Sequence, residues 1–340
     1  MGTLCRLWSQ RVLSDGRYWQ WAQLRVSKQY QNQKEYLLNS RILTLVPAIN
    51  VTQWADENLA ESLLKKIRND GKLKVKKLTI TFGTNRKLLN LDLNLLAKAS
   101  LQVEEFCIDG GRKYHEAILT VIRDSPNNGL RHLHLGDEIL RVAPDLLAGA
   151  AMKLESIQAS IQTKLQVNGF MTRLAASPDS RLKSLPDSFR GKYLQMMSDI
   201  PPEIFAGALL NVENVDTPTT YWMDEEHISV FINMIRESSN ARLSNVQFLN
   251  SKFTHLPPEV LVGAVQKLEE VQFKGGHMTV EQATSILTMI KERRLGKIKK
   301  IVMGSIIRDI TSVSPSLLQE AKLNPALTWH ARREMCSIYH

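Results

Sequence analysis

Apolar residues recur along the chain in triplets with the spacing L-x-x-L-x-L. The first triplet is Val75, Leu78 and Ile80, and successive triplets begin 24 to 31 residues apart. The later triplets, some of them without the third apolar residue, begin at Val103, Leu130, Leu154, Leu182, Val212, Leu243, Leu268 and Ile298. A pattern that returns at this interval over most of a chain is typical of a repeat architecture.

The intervals between the triplets carry helical patterns of two alternating kinds. Every second interval contains a proline followed by a short apolar helix, and these prolines are Pro144, Pro202, Pro258 and Pro315. Proline suits the first position of a helix, because the N–H that it lacks would have no partner inside the helix there. The other intervals carry longer amphipathic helices, such as residues 279–293. Each repeat is therefore predicted to be a strand, a turn and a helix.

A unit of this size cannot bury the apolar faces of both its strand and its helix, so neighbouring units are predicted to stack. The predicted fold class is α/β, a solenoid with a curved parallel sheet inside and helices outside. The repeats resemble the leucine-rich repeat family, in its long form with a helix in each unit, over about residues 42–329. Pro186 interrupts one strand, and Asp187 and Thr217 replace the third apolar residue of two triplets. We expect an irregular unit at residues 165–197.

Residues 1–40 are predicted to form a helical segment of their own, ahead of the solenoid of residues 41–340. Part of this segment resembles the C-terminal half of an F-box, and the matching residues are Cys5, Trp8, Leu13, Tyr18 and Trp19. The upstream half of an F-box, with its Leu-Pro-x-Glu, does not precede Cys5 in this sequence. The resemblance implies binding of a Skp-type adaptor. In a second interpretation the same side chains cap the open apolar end of the first repeat, which a solenoid requires.

The charge of the chain is unevenly distributed. The 340 residues carry a net charge of +10, with basic residues concentrated toward both ends and an acidic middle. Nucleic-acid binding needs one continuous basic face, so this distribution argues against it. Cys5, Cys107 and Cys336 form no C-x-x-C pair, which excludes a disulfide framework. No apolar stretch is long enough for a membrane span, so we expect a protein of the cytoplasm or the nucleus.

The alternation of side chains along each strand predicts a polar face on the inside of the curved sheet. The leucine positions point into the core, and the residues on either side of the second leucine point away from it. Short polar groups dominate these positions, which favours hydrogen bonding to a protein over binding of a phosphate track. The predicted partner-binding residues are Lys77, Glu105, His132, His134, Gln158, Asn214, Asp216, Asn245, Gln247, Glu270, Gln272 and Lys300. A merely solvated sheet surface is the alternative interpretation.

Two histidines of this face come close to a cysteine in the predicted sheet. His132 and His134 lie about 7 Å apart on one strand, and Cys107 is expected one strand away. A zinc site needs a third or fourth ligand and supporting hydrogen bonds that this spacing does not supply, so we predict no metal site. The glycine pairs that follow two of the strands match no phosphate-binding motif, and no motif of a hydrolase or metalloprotease occurs. We therefore predict no cofactor and no catalysis.

These predictions favour a non-catalytic module that recognises another protein. An F-box-like segment followed by leucine-rich repeats resembles the substrate receptors of SCF-type ubiquitin ligases, in which the F-box grips the adaptor and the repeats hold the target. The chain is predicted to be such a receptor or a shortened relative of one. The alternative function is that of a free-standing scaffold or inhibitor with no link to ubiquitination.

Overall fold

The computed structural model divides the chain into two compact units, unit 1 (Met1–Ile161) and unit 2 (Gln162–His340). It describes residues 23–26, 47–51, 57–70, 73, 75–82, 90–126, 129–136, 142–159, 161, 163–186, 199–221, 223–249, 253–274, 278–303 and 313–329. Of residues 23–26, 217, 218 and 329 it describes the backbone alone. Within these ranges, no helix combines the length and the apolar character needed to cross a membrane.

Unit 1 contains a six-stranded sheet in which the strands follow one another in chain order. The strands are β1 (Gln23–Val26), β2 (Ala48–Val51), β3 (Lys77–Thr81), β4 (Glu105–Asp109), β5 (His132–Leu135) and β6 (Ser156–Gln158). The helices are α1 (Glu57–Asn69), α2 (Leu93–Ser100), α3 (Arg112–Asp124) and α4 (Pro144–Ala151). Every neighbouring pair of strands is parallel, so the chain advances by one strand with each repeat.

Unit 2 contains a five-stranded parallel sheet, again in chain order. The strands are β7 (Asn214–Val215), β8 (Asn245–Leu249), β9 (Glu270–Lys274), β10 (Lys300–Met303) and β11 (Leu327–Trp329). The helices are α5 (Lys164–Ala175), α6 (Pro202–Leu210), α7 (Thr217–Tyr221), α8 (Glu225–Glu237), α9 (Pro258–Val265), α10 (Val280–Lys291) and α11 (Pro315–Lys322).

Both units have the leucine-rich repeat fold that the apolar triplets predict. In β3, Leu78 and Ile80 are fully buried while the alternate residues Lys77 and Thr79 stay half-exposed, and other strands alternate in the same way. Full burial of one such aliphatic side chain contributes about 1.5–3 kcal/mol. A shift of register by one residue would move a whole triplet to the polar face, so the triplets fix the pairing of the strands.

The helices begin in two ways, and the sequence predicts the first of them, a start at proline. Pro144, Pro202, Pro258 and Pro315 stand at the starts of α4, α6, α9 and α11. The longer helices α5, α8 and α10 begin after a polar residue whose side chain accepts a hydrogen bond from the N–H of the third helical residue, and these caps are Thr163, Asp224 and Thr279. The third residue of each of these helices is itself polar and buried, and these residues are Gln166, His227 and Gln282.

The predicted irregular unit is present at the start of unit 2. Ser184 forms an isolated parallel bridge with Asn214 in place of a strand. Pro186 stands two residues later and has no N–H to donate to a neighbouring strand. Asp187 lies outside the described residues. Thr217 begins α7, so β7 ends at Val215 before a third apolar position is reached.

The sheet of unit 1 begins earlier in the chain than the apolar triplets indicate. β1 pairs with β2 in parallel, with Gln23 opposite Ala48 and Val26 opposite Val51. Residues 23–26 belong to the predicted helical N-terminal segment, and the sequence pattern does not predict the strand that they form. The short run Gln-Leu-Arg-Val has one alternation of apolar residues, which is too little to stand out in a sequence.

Candidate functional site

The polar face of unit 1 consists of alternate residues on the strands β3 to β6. Strand pairing brings them into two rows across the sheet: Lys77, Glu105, His132 and Ser156 form the first row, and Thr79, Cys107, His134 and Gln158 the second. All eight side chains are half-buried or exposed, and the residues between them along each strand are buried. Neighbouring strands lie about 4.8 Å apart, so side chains in the same row can contact one another directly.

Glu105 is the most densely contacted charge of this face. Its Oε1 accepts a hydrogen bond of 2.5 Å from Nζ of Lys77. The same oxygen lies 3.4 Å from Nε2 of His134 and 3.6 Å from Sγ of Cys107. One carboxylate therefore gathers an ammonium, an imidazole and a thiol from three adjacent strands.

These contacts shift the protonation equilibria of the face. Burial opposes ionisation of Glu105, but the hydrogen bond and charge of Lys77, together with His134, hold the pKa of Glu105 below its usual value. The same hydrogen bond raises the pKa of Lys77. Burial raises the pKa of the Cys107 thiol, which favours its neutral form. The lysine and the glutamate thus form a stable ion pair beside a protonated thiol.

The two histidines of β5 use their Nδ1 atoms on different partners. His132 Nδ1 lies 2.8 Å from Oγ of Ser156, and His134 Nδ1 is hydrogen-bonded to Oε1 of Gln158. An amide oxygen can only accept, so His134 donates from Nδ1 and its Nε2 is left facing Glu105. His132 contacts its own partner and does not join this group.

The grouping around Cys107 therefore differs from the one that the sequence indicates. The sequence indicates a group of Cys107, His132 and His134, whereas the structure brings the ligating atoms of Glu105, Cys107 and His134 within 4.8 Å of one another. Glu105 and Cys107 are two residues apart on one strand, and β4 pairs with β5 so that Cys107 lies opposite His134. The spacing within β4 and its register with β5 are what place Glu105 beside Cys107 and His134.

The polar face of unit 2 has a similar layout and a different composition. Its first row is Asn214, Asn245, Glu270 and Lys300, and its second row contains Gln247 and Gln272. Nδ2 of Asn245 donates to Oδ1 of Asn214 at 2.6 Å. Oε1 of Glu270 accepts from Nζ of Lys300 at 2.7 Å and from Nε2 of Gln272 at 2.6 Å. The hydrogen bond from Lys300 is the main reason that the pKa of Glu270 is lowered, against the opposing effect of burial.

Two positions of unit 2 depart from the alternation rule. Asp216 was predicted to lie in the polar rows, but β7 ends at Val215 and the Asp216 carboxylate accepts a hydrogen bond of 2.9 Å from the hydroxyl of Thr219. Pro218 follows so closely that the backbone cannot continue the strand pairing, and Asp216 instead supports the start of α7. Val302 in β10 is placed on the polar face by alternation, yet it is buried.

The residues predicted to bind an adaptor or to cap the first repeat lie outside the described part of the chain. They are Cys5, Trp8, Leu13, Tyr18 and Trp19. Their role stays a prediction.

Comparisons with known proteins give remote similarities. No protein-family model matches the chain, and no curated protein matches it. Among solved structures, the leucine-rich repeat-containing protein LegL7 from Legionella pneumophila is 13% identical, with a TM-score of 0.36, over 88% of this chain and 90% of that one. A chain of the yeast Rad7 and Elc1 complex is 12% identical, with a TM-score of 0.34, over 91% of this chain and 86% of that one. The fold assignment rests on the strands and helices described above.

Proposed function

We propose that this chain is a protein-recognition module that binds a partner on the polar faces of its parallel sheets. The observation that carries the proposal is the arrangement of hydrogen-bonding side chains in rows that cross several strands. Residues in one row come from successive repeats, so an extended segment of a partner can contact many repeats at once. The buried triplets keep these side chains in fixed register.

The chemistry of the rows favours a partner with mixed polarity. On each face a lysine is neutralised by a glutamate, through the Lys77–Glu105 pair in unit 1 and the Lys300–Glu270 pair in unit 2. Around these pairs stand amides, which both donate and accept hydrogen bonds. A polyanion would have to break both ion pairs to reach the lysines, whereas the donors and acceptors of a polypeptide can add to the existing contacts.

We further propose that the partner is the target of an SCF-type ubiquitin ligase and that residues 5–19 bind a Skp-type adaptor. The support for this is the resemblance of those residues to half of an F-box. It is independent of the argument for the polar faces, so each part can fail without the other.

Recognition by the polar face can be tested by exchanging its amides. We expect the combined variant Asn245→Ala, Gln247→Ala and Gln272→Ala to lose proteins that the unmodified chain captures from cells by chemical crosslinking. These half-buried amides lie outside the apolar core, and each lost hydrogen bond should cost about 0.5–1.5 kcal/mol, so the variant should stay folded. The matched control alters three exposed residues at the end of α10, Lys291→Ala, Glu292→Ala and Arg293→Ala. Loss of partners in the control alone would place the binding surface on the helices instead.

Adaptor binding is tested with purified components. We expect the chain to form a complex with a Skp-type adaptor in size-exclusion chromatography, and the variant Trp8→Ala with Trp19→Ala to lose it. A chain that binds partners through its polar face but never binds the adaptor would be a free-standing scaffold or inhibitor.

A further inference from the structure

Three ligating side chains of different chemistry meet on the polar face of unit 1. They are the carboxylate of Glu105, the thiol of Cys107 and the imidazole of His134, whose ligating atoms lie within 4.8 Å of one another. We propose that these three residues form a zinc-binding site. The proposal does not depend on the function proposed above.

The distances between the ligating atoms fit the coordination shell of zinc. Tetrahedral zinc, with bonds of about 2.0–2.1 Å to nitrogen and oxygen and about 2.3 Å to sulfur, separates an oxygen and a nitrogen ligand by about 3.4 Å and an oxygen and a sulfur ligand by about 3.5 Å. In the structure, Oε1 of Glu105 lies 3.4 Å from Nε2 of His134 and 3.6 Å from Sγ of Cys107. Both separations match those of two ligands that share one tetrahedral zinc ion.

The orientation of His134 provides a second, independent observation. A histidine that ligates a metal through one nitrogen almost always donates a hydrogen bond from the other, which fixes the ring and its tautomer. His134 does this through Nδ1, which is bonded to Oε1 of Gln158 on the neighbouring strand. In a neutral His134, Nε2 carries a lone pair and faces the carboxylate of Glu105, another group that only accepts. A cation between the two satisfies both.

The mixture of ligands selects the kind of metal. Thiolate and imidazole favour zinc over magnesium and calcium, which prefer shells made of oxygen. Coordination converts the Cys107 thiol to a thiolate and releases its proton to solvent. Three protein ligands leave the fourth tetrahedral position for water or for a side chain of a bound protein.

Lys77 is the natural competitor for this site. Its ammonium contacts the Oε1 atom of Glu105 in the structure, and it is the cation that neutralises this carboxylate. Zinc and Lys77 therefore compete for one carboxylate charge. Removing the lysine should strengthen zinc binding if Glu105 is a ligand.

The test uses the full chain with Cys5→Ser and Cys336→Ser, so that Cys107 is the remaining thiol. After removal of metal by a chelator, titration calorimetry with zinc should give one ion per chain. Cobalt used as a spectroscopic probe should give a thiolate-to-cobalt charge-transfer band. Absence of zinc binding, or a cobalt complex without that band, overturns the proposal.

Matched variants identify the ligands. His134→Asn should lose zinc binding, whereas His132→Asn, on the same strand and face, should leave it unchanged. Gln158→Ala should weaken binding by about 10- to 100-fold, as is usual for a group that orients a ligating histidine. Lys77→Met should bind zinc more tightly than the chain that carries only Cys5→Ser and Cys336→Ser. Equal affinity in all of these variants overturns the site.

One measurement needs no substitution at the proposed ligands, in case those variants fold poorly. In the full chain with Cys5→Ser and Cys336→Ser, zinc should protect Cys107 from alkylation by iodoacetamide, and magnesium at the same concentration should not. Equal alkylation with and without zinc contradicts the proposal.

Discussion

The sheet of unit 2 packs on a cluster of phenylalanine rings, whereas the sheet of unit 1 is lined mainly by aliphatic side chains. Phe248 of β8 stacks on Phe273 of β9 at a centroid distance of 5.7 Å, and Phe253 meets both rings edge-on at 5.0 and 5.5 Å. In unit 1 the corresponding triplet positions of β3 and β5 are leucine and isoleucine, and Phe106 occupies one of those of β4. The same repeat can therefore be filled by two kinds of core.

Helix α10 of unit 2 and helix α3 of unit 1 begin differently. In unit 2, Gln282 of α10 donates hydrogen bonds to the carbonyls of Phe253 and Leu256, and its Oε1 accepts one from the N–H of Thr279. In unit 1, α3 begins after Gly111, which provides no side-chain cap. Buried polar side chains that satisfy loop carbonyls fix the loop before a helix, because an unpaired buried carbonyl is costly. The start of α10 is thus held more specifically than the start of α3.

The largest difference between the units should appear when phenylalanine rings are removed. We expect Phe248→Ala to lower the free energy of unfolding by about 3–5 kcal/mol. Phe106→Ala in unit 1 is the matched control, since both rings are buried. Replacement by leucine separates the two units more clearly, because leucine keeps most of the buried volume. Phe248→Leu then loses mainly its contacts with neighbouring rings, which are worth about 0.5–1.5 kcal/mol each. Hydrogen exchange resolved by peptide reports on each unit separately, and equal losses for the two leucine variants would remove any special role of the cluster.

The buried amide of α10 should have the next largest effect. Gln282→Ala leaves two loop carbonyls without their donor, and we expect it to lower the free energy of unfolding by about 1–3 kcal/mol. The neighbouring Glu281 is exposed, so Glu281→Ala serves as the control and should change stability by no more than about 0.5 kcal/mol. Urea unfolding of both variants measures the difference. If Gln282→Ala behaves like the control, the hydrogen bonds to the loop carbonyls do not stabilise unit 2.

The repeats themselves could be predicted from the sequence because burial imposes a pattern. The leucine and isoleucine positions of β3 had to alternate with polar ones, and the proline starts of four helices followed from the chemistry of proline alone. Pro186 likewise indicated where a strand would fail. These features depend on neighbours along the chain.

The contacts between repeats were harder to predict. Glu105 was placed on the polar face, but its meeting with Lys77 and His134 depends on how three strands align. Asp216 was assigned to a strand that ends one residue earlier, because a capping contact with Thr219 competes with strand pairing. The sequence does not predict the burial of Gln282 either. Its hydrogen bonds go to the carbonyls of Phe253 and Leu256, which lie in an earlier loop and are far away along the chain.

The ion pairs of the two polar faces should respond to acid in the same direction. The pKa of Glu270 is lowered in the folded chain, mainly by the hydrogen bond from Lys300, so its stabilising effect is present above the unfolded pKa of about 4.3. The effect is lost as the pH falls through the lower folded value. We expect Glu270→Gln to reduce the loss of stability between neutral and acidic pH by less than about 1 kcal/mol, the usual range for an exposed pair. Lys300→Met should flatten the same curve, and Glu105→Gln should do so in unit 1. If neither Glu270→Gln nor Lys300→Met alters the dependence of stability on pH, the ion pair between Glu270 and Lys300 does not stabilise the folded chain.

The smallest effect tests whether α3 can be given the kind of start that α10 has. Gly111 precedes α3 with φ −71° and ψ 164°, a conformation that serine adopts without strain. Gly111→Ser places a hydroxyl where it can accept a hydrogen bond from an N–H of the first turn, and the gain over glycine should be a few tenths of a kcal/mol. Hydrogen exchange of the first amides of α3 measures it. The adjacent change Gly110→Ser is the opposing control, since a Cβ there would lie 2.7 Å from the ring of Phe82 and should destabilise unit 1. Slower exchange in Gly111→Ser and faster exchange in Gly110→Ser would show that the lack of a cap limits the stability of the start of α3. If Gly111→Ser is neutral or destabilising, glycine is already the better residue at that position.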